Sequence, residues 1–270
     1  MPELPEVEIT RRGIAPHLLG REIAGVVIRQ RQLRWPIPRN LNRILRGRQI
    51  LSVDRRGKYL LLDCDGGSLI LHLGMSGSLR VLNPLEEPGP HDHFDLVMPE
   101  QAVRLRDPRR FGAVLWTNDV SRHPLLIHLG VEPLSDAFNG EFLYAHTRGK
   151  RQAIKLALMD HRLVVGVGNI YANESLFRAG IRPQLPAHRL SRARCARLVE
   201  CVRETLTEAL AQGGSSLRDF IHSDGSSGYF QQNYFVYGRE GEACRQCGKT
   251  IRRIVQGQRA TLYCPQCQCP

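Results

Sequence analysis

Apolar residues between positions 5 and 19 recur at helical spacing. Val7, Ile14 and Leu18 share one face, Pro5 suits a first helical turn, and Gly20 ends the run. The period then shortens. Strand-like runs occupy 22–29, 49–55, 59–64, 68–73, 78–82, 94–98, 102–106 and 113–117, punctuated by turn residues such as Asp65-Gly66-Gly67 and Pro88-Gly89-Pro90. Short strands at this spacing predict an antiparallel sandwich or barrel. Beyond His123 the pattern is helical again, with helices expected at 135–146, 151–159, 169–179, 191–212 and 217–222. The last stretch returns to short strands around four cysteines. The fold class is therefore α+β. The expected division is a β-sandwich domain at 1–130, a linker and helix at 131–150, a helical domain at 151–235 and a cysteine-bound module at 236–270.

Charge sharpens this picture. The 270 residues carry 38 Lys and Arg against 26 Asp and Glu, a formal net charge of +12. Such a balance points to a polyanionic partner, nucleic acid before an anionic membrane. From Arg29 to Lys58 there are ten basic residues and one acid, Asp54, interleaved with Trp35 and apolar positions, so the segment is not a floppy basic tail. No apolar run approaches the ~20 residues of a membrane span, and the N-terminus lacks a hydrophobic signal core. The sequence reads as a cytoplasmic, nucleoid-associated monomer whose cysteines are not a disulfide framework.

Cys244-x2-Cys247, sixteen residues, then Cys264-x2-Cys267 is the two-knuckle spacing of a tetrahedral zinc site. Four protein ligands leave no open coordination position, so this zinc is structural. Cys269 lies just beyond and could compete as a ligand; Cys64, Cys195 and Cys201 read as small packing residues. Between the knuckles, alternation suggests a hairpin with Arg259 near its turn, either a phosphate reader or a solvated cation. Val164-Val165-Gly166-Val167-Gly168-Asn169 leads into a helix with Asn169 as its expected N-cap, a place where free N–H groups bind phosphate.

Asp107-Pro108-Arg109-Arg110-Phe111-Gly112 sits between two strands. It is either a turn presenting an aromatic wedge with its cations, or a buried Phe flanked by paired arginines. His72-Leu73-Gly74-Met75-Ser76-Gly77 reads as a hairpin turn. His91 and His93 suggest phosphate contacts or structural roles, since no third metal ligand accompanies them. At the start of the chain, removal of Met1 would expose the secondary amine of Pro2. A free α-amino group titrates near pH ~8, against ~10.4 for lysine. Much of it is thus neutral and nucleophilic at pH 7, with Glu3 adjacent as an acid or base.

Taken together, PELPEVE, RRGKYLLL, HLGMSGSL, DPRRFG, VVGVGNIYANESLF, SDGSSGYF and the terminal cysteine module with QRATLYC resemble the bacterial formamidopyrimidine-DNA glycosylase (8-oxoguanine-DNA glycosylase) family over essentially the whole chain. The resemblance implies a β-sandwich, a helix–two-turn–helix domain and a zinc finger, with damaged double-stranded DNA between them. It implies a glycosylase that also nicks the strand by β,δ-elimination. Pro2 would be the nucleophile at C1′, Glu3 the acid, and Lys58 a phosphate contact that helps later steps. Asn169, Tyr171 and Arg259 match phosphate-binding positions around the extruded nucleotide, Arg259 also serving catalysis. Met75, Arg109 and Phe111 match the residues that fill the vacated duplex. His91 and Lys155 match DNA-binding positions, and Asp160 a supporting one. Residues 215–237 correspond to the loop over the flipped base. Ser226 stands where a Lys is common, and His161 where Asn or Gln is usual. An endonuclease VIII-like enzyme for oxidised pyrimidines and a non-enzymatic zinc-ribbon damage sensor are the competing readings. Leu4 argues against the first and Pro2-Glu3 against the second.

Overall fold

The computed structural model describes residues 2–214 and 234–269. The expected helix at 217–222, Ser226 and most of the expected loop at 215–237 lie outside them. The chain forms two compact units, residues 1–127 with 212–229, and residues 128–211 with 230–270. The segment expected as a linker and the cysteine module thus both belong to the second unit.

In the first unit, helix α1 (Leu4–Leu18) precedes eight strands: β1 (Gly25–Ile28), β2 (Ile50–Arg56), β3 (Tyr59–Cys64), β4 (Gly67–His72), β5 (Ser78–Leu82), β6 (Asp92–Val97), β7 (Ala102–Arg106) and β8 (Ala113–Thr117). They pair antiparallel into two four-stranded sheets, ordered β1-β6-β7-β5 and β2-β3-β4-β8. Strand β3 shows why. Leu60, Leu62 and Cys64 are buried while the residues between them are not, the period-2 signature of a half-buried strand. Their side chains join Leu71, Leu79, Phe94, Leu96 and Leu105 from both sheets in a single core. Val7, Ile14 and Leu18 of α1 enter the same core, as their spacing predicts. Helix α1 is tied along β2 by Arg11, which donates to the Val53 carbonyl at 3.0 Å, and by Arg55, which donates to Glu8 at 3.2 Å. A five-residue helix, α2 (Leu41–Leu45), fills the stretch between β1 and β2 that carried no strand or helix expectation.

The second unit holds α3 (Gly140–Thr147), α4 (Ile154–Leu158), α5 (Asn169–Arg178), α6 (Arg192–Ala211) and the hairpin β9 (Arg252–Gln256) with β10 (Arg259–Tyr263). Helix α3 starts five residues later than its periodicity suggests. Turns occupy 135–138, and Asn139 caps the helix by accepting the Phe142 N–H at 2.9 Å. Helix α6 buries Cys195, Leu198, Val202, Leu206 and Ala209, an i, i+3/i+4 stripe. No helix among the described residues is long and apolar enough to cross a membrane.

Candidate DNA-repair site

Pro2 and Glu3 are both buried, at the N-terminus of α1. Glu3 is the N-cap and forms a capping box with Glu6, whose carboxylate accepts the Glu3 N–H at 2.8 Å. The positive end of the helix dipole thus faces Pro2. Lys58 occupies the β2–β3 turn after Gly57, whose carbonyl accepts Arg55 Nη1 at 2.8 Å.

The Met75 and Phe111 turns are built as one object. Asp107 is fully buried. Its carboxylate accepts Ser76 Oγ at 2.9 Å and the Gly112 N–H at 2.7 Å, and Ser76 Oγ in turn accepts the Arg109 N–H at 3.3 Å. Gly74 (φ 63) passes so close that a Cβ there would lie 2.4 Å from the Phe111 carbonyl carbon. Only glycine fits both the dihedral and the space. Phe111 stands 43% exposed at the tip, with the Arg109 guanidinium 5.0 Å from its ring centroid. Of the two alternatives for this segment, the exposed aromatic beside its cation is observed, not a buried Phe. Arg110 adopts φ 58, and it and Gln258 (φ 60) are the only left-handed non-glycine residues among those described. Both flank expected site residues, which fits strain held at functional turns. His91 is half-buried, and its carbonyl accepts the Asp107 N–H at 2.9 Å. It thus braces the same turn from behind.

In the second unit, α5 organises the expected phosphate contacts. Its N-cap is Gly168, in an extended conformation, and Asn169 is its first helical residue. The expectation of an Asn169 cap is corrected by one position. Asn169 is half-buried and Tyr171 fully buried. Asn173 donates to the Asn169 carbonyl and accepts the Leu262 N–H at 2.9 Å, fixing β10 to this helix. Lys155, on α4, is completely buried. Its ammonium donates to the Ala260 carbonyl at 2.9 Å and to Thr261 Oγ1 at 2.6 Å. The structure therefore gives Lys155 a holding role on β10, one strand residue from Arg259. Arg259 is exposed and follows the two-residue turn Gly257-Gln258, both left-handed, as a tight hairpin of this twist requires. Asp160 accepts the Arg162 N–H at 3.0 Å, and Lys150 Nζ lies 4.0 Å away, so it shapes the turn before α5.

The four cysteine sulfurs of Cys244, Cys247, Cys264 and Cys267 lie within 4.8 Å of one another, with Cys244–Cys267 at 3.8 Å and Cys247–Cys264 at 3.4 Å. A zinc tetrahedron with Zn–S bonds near 2.3 Å has edges of about 3.8 Å, so the set fits one ion. Backbone N–H groups of Gln246 and Cys267 point at the Cys244 and Cys264 sulfurs at 3.5 and 3.4 Å. Cys269 stands outside the cluster, and no other group of three or more metal-type ligands occurs among the described residues. Neither His91 nor His93 belongs to such a group among the described residues. The knuckles share an apolar core with Phe177, Val236, Ile251 and Leu262.

Sequence reasoning missed the scaffold: Ser76, Asp107, Asn173 and Glu174. Glu174 is buried, and its two oxygens accept the N–H groups of Phe235, Val236 and Tyr237 at 2.8, 3.0 and 2.8 Å. A buried acid on an amphipathic helix is the one local signal that could have flagged it.

Three family models match in order along the chain: the formamidopyrimidine-DNA glycosylase N-terminal domain over residues 1–114, the formamidopyrimidine-DNA glycosylase H2TH domain over 129–221, and the zinc finger found in FPG and IleRS over 241–268. The formamidopyrimidine-DNA glycosylases of Cupriavidus pinatubonensis and Herminiimonas arsenicoxydans are 56% and 57% identical, each match covering 99% of this chain and 100% of the relative. Among solved structures, MutM (Fpg) from Thermus thermophilus superimposes with a TM-score of 0.90 at 42% identity, covering 99% of this chain and 98% of the other. Lactococcus lactis Fpg in complex with abasic-site DNA gives 0.91 at 32% identity, covering 98% and 99%.

Proposed function

This chain belongs to the formamidopyrimidine-DNA glycosylase family, and on that premise we propose that it excises 8-oxoguanine and formamidopyrimidines from duplex DNA through Pro2 and then cuts the strand by β,δ-elimination. The observation that carries the reading is the buried Pro2-Glu3 pair at the positive end of α1.

The target base is inaccessible within the stack, and its extrusion costs a few kcal/mol. Met75, Arg109 and Phe111 offset that cost by filling the vacated space. Lys58, His91, Asn169, Tyr171 and Arg259 hold the backbone, while Lys155 and Asp160 fix the elements that carry these groups. The nitrogen lone pair of Pro2 forms a bond to C1′ as the glycosidic bond breaks; that bond's electron pair leaves with the base, which takes up the proton the Pro2 nitrogen sheds. Glu3 gives a proton to the sugar ring oxygen, which opens the ring and leaves an iminium. The iminium acidifies C2′, so loss of that proton expels the 3′ phosphate. A second elimination expels the 5′ phosphate, and water releases the sugar fragment and restores Pro2. The single zinc supports the β9–β10 hairpin, and no step passes through it. This work belongs on nucleoid DNA in the cytoplasm, and one chain suffices for it.

Borohydride trapping on a duplex with 8-oxoguanine opposite cytosine tests the reading. A covalent adduct mapping to Pro2, absent on undamaged DNA, is expected. Tight binding without an adduct would leave a damage sensor. An adduct only on an oxidised pyrimidine would move the substrate class. That second arm is warranted because Lactococcus lactis Fpg has been solved with DNA containing an oxidised pyrimidine.

A further inference from the structure

We propose that His72 is a positioning residue for the duplex wedge: by accepting the Gly74 N–H, its neutral imidazole sets the turn that carries Met75 against the Phe111 turn. The inference rests on the wedge role assigned above to Met75, Arg109 and Phe111.

Nδ1 of His72 lies 3.0 Å from the Gly74 nitrogen. Gly74 is buried, so its N–H needs an acceptor. An imidazole accepts at Nδ1 only when that nitrogen carries no proton, which requires the neutral Nε2–H tautomer. The ring is held in this pose from two sides. Its backbone pairs with Tyr59 on β3 and Ala113 on β8, and the Tyr59 ring packs at 4.8 Å between centroids. Immediately downstream, Gly74 makes the close approach to the Phe111 carbonyl described above, and Gly77 N–H returns to the Leu73 carbonyl at 2.8 Å. The Met75 turn therefore hangs from two points, the His72 imidazole at its entry and Ser76 on Asp107 at its exit.

The environment keeps the imidazole neutral. Burial, then the positive charges of Lys58 and Arg34, hold His72 down at about 4. The cation expected to grip the phosphate thus also keeps the acceptor of the wedge turn unprotonated. Tyr59, the other titratable group against the ring, is itself pushed up by burial and stays neutral.

Two substitutions separate this role from bulk packing. His72→Asn puts a carbonyl oxygen near the Nδ1 position and retains an acceptor. His72→Phe keeps the ring against Tyr59 and offers none. Each is assayed for 8-oxoguanine excision from a duplex, which needs the wedge. Each is also assayed for borohydride trapping on a single-stranded oligonucleotide with an abasic site, which needs Pro2 but no extrusion. Met75→Ala serves as the wedge control. We expect His72→Phe to lose about tenfold on the duplex, the range for a buried N–H left without a partner. His72→Asn should recover to within about threefold of wild type, and single-strand trapping by both His72 variants should stay within about twofold of wild type. Full duplex activity in His72→Phe, equal loss in His72→Asn, or a parallel loss of single-strand trapping would each overturn the proposal. Met75→Ala with undiminished duplex excision would overturn the wedge role itself, and this inference with it.

Discussion

Replacing Glu174 tests how the chassis of the second unit works. Its carboxylate is buried and takes three backbone N–H bonds from Phe235, Val236 and Tyr237. Those residues lead into the zinc-finger core, where Val236 packs with Phe177 and Leu262. In Glu174→Gln, Oε1 still accepts from Val236 and Tyr237. The new amide nitrogen then faces the Phe235 N–H, donor against donor. One bond of three is lost and one donor is stranded in a half-buried place, for about 1–2 kcal/mol. In Glu174→Ala all three donors lose their partner and the carboxymethyl volume is left empty. Phe235 and Tyr237 can recruit water, but Val236 is fully buried. An unpaired buried donor costs about 1–3 kcal/mol, so with the cavity the local loss should reach about 3–5 kcal/mol. That is a large part of a domain's usual margin of about 5–15 kcal/mol. Hydrogen exchange of the three amides reads the local term and thermal unfolding the global one. The expected order is wild type, Gln, Ala, with exchange accelerating first at Val236. Excision from duplex should fall in the same order, because these residues end the segment expected over the flipped base. If the Ala variant kept the Val236 amide protected, the carboxylate would not be what holds this segment, and the reasoning would fail.

Three further outcomes follow from the geometry. Cys264→Ser should cost DNA affinity before it disturbs the first unit, since the sulfur set positions the β9–β10 hairpin and Arg259; normal duplex binding by a zinc-depleted variant would refute this. Gly74→Ala should cost about 1–2 kcal/mol for the left-handed dihedral alone, and more for the approach to Phe111. Its loss should show in duplex excision rather than single-strand trapping, and an unchanged melting temperature would contradict it. Glu8 supplies a pH signature. Burial raises its pKa, but hydrogen bonds from Arg11 and Arg12 and the charges of Arg11 and Arg55 more than offset this, giving about 2 against an ordinary 4.5. A folded-state pKa below the unfolded value gives stability that is present above 4.5 and lost as pH falls toward 2. Discounted for the exposure of Arg12, the contribution is about 1–2 kcal/mol. The stability gap between wild type and Glu8→Gln should therefore close between pH 5 and pH 2, and a gap independent of pH would refute the assignment.

The sandwich was legible because its strands alternate and glycine or proline marks their turns. Strands β3, β5, β7 and β8 fall where the pattern puts them. Helix α2 was not legible, since five residues are too few for a 3.6-residue period to show. The start of α3 was misplaced because Ser135 and Phe138 are spaced as a helix would space them but close single turns instead. The cap of α5 was misplaced because Asn is a good cap by type, whereas the chain reaches Gly168 extended and that carbonyl accepts the first helical bond, from Ala172 at 3.0 Å.

The site divides along the same physical line. Residues that reach outward, Met75, Arg109, Phe111 and Arg259, sit on or beside turns, and turns announce themselves locally through Gly, Pro and charge. The groups that hold those turns act over long separations: Ser76 to Asp107 over 31 residues, Glu174 to Phe235 over 61, Asn173 to Leu262 over 89, and Lys155 to Thr261 over 106. Nothing in the neighbourhood of Asn173 or Lys155 tells it apart from a solvated helix residue, and burial alone converts each into an obligatory donor or acceptor. The turns and hairpin expected to carry the wedge and the phosphate contacts thus stand on a shell of buried polar pairs. A variant search confined to residues expected to touch DNA would miss Ser76, Asp107, Asn173 and Glu174, which hold the elements carrying those residues.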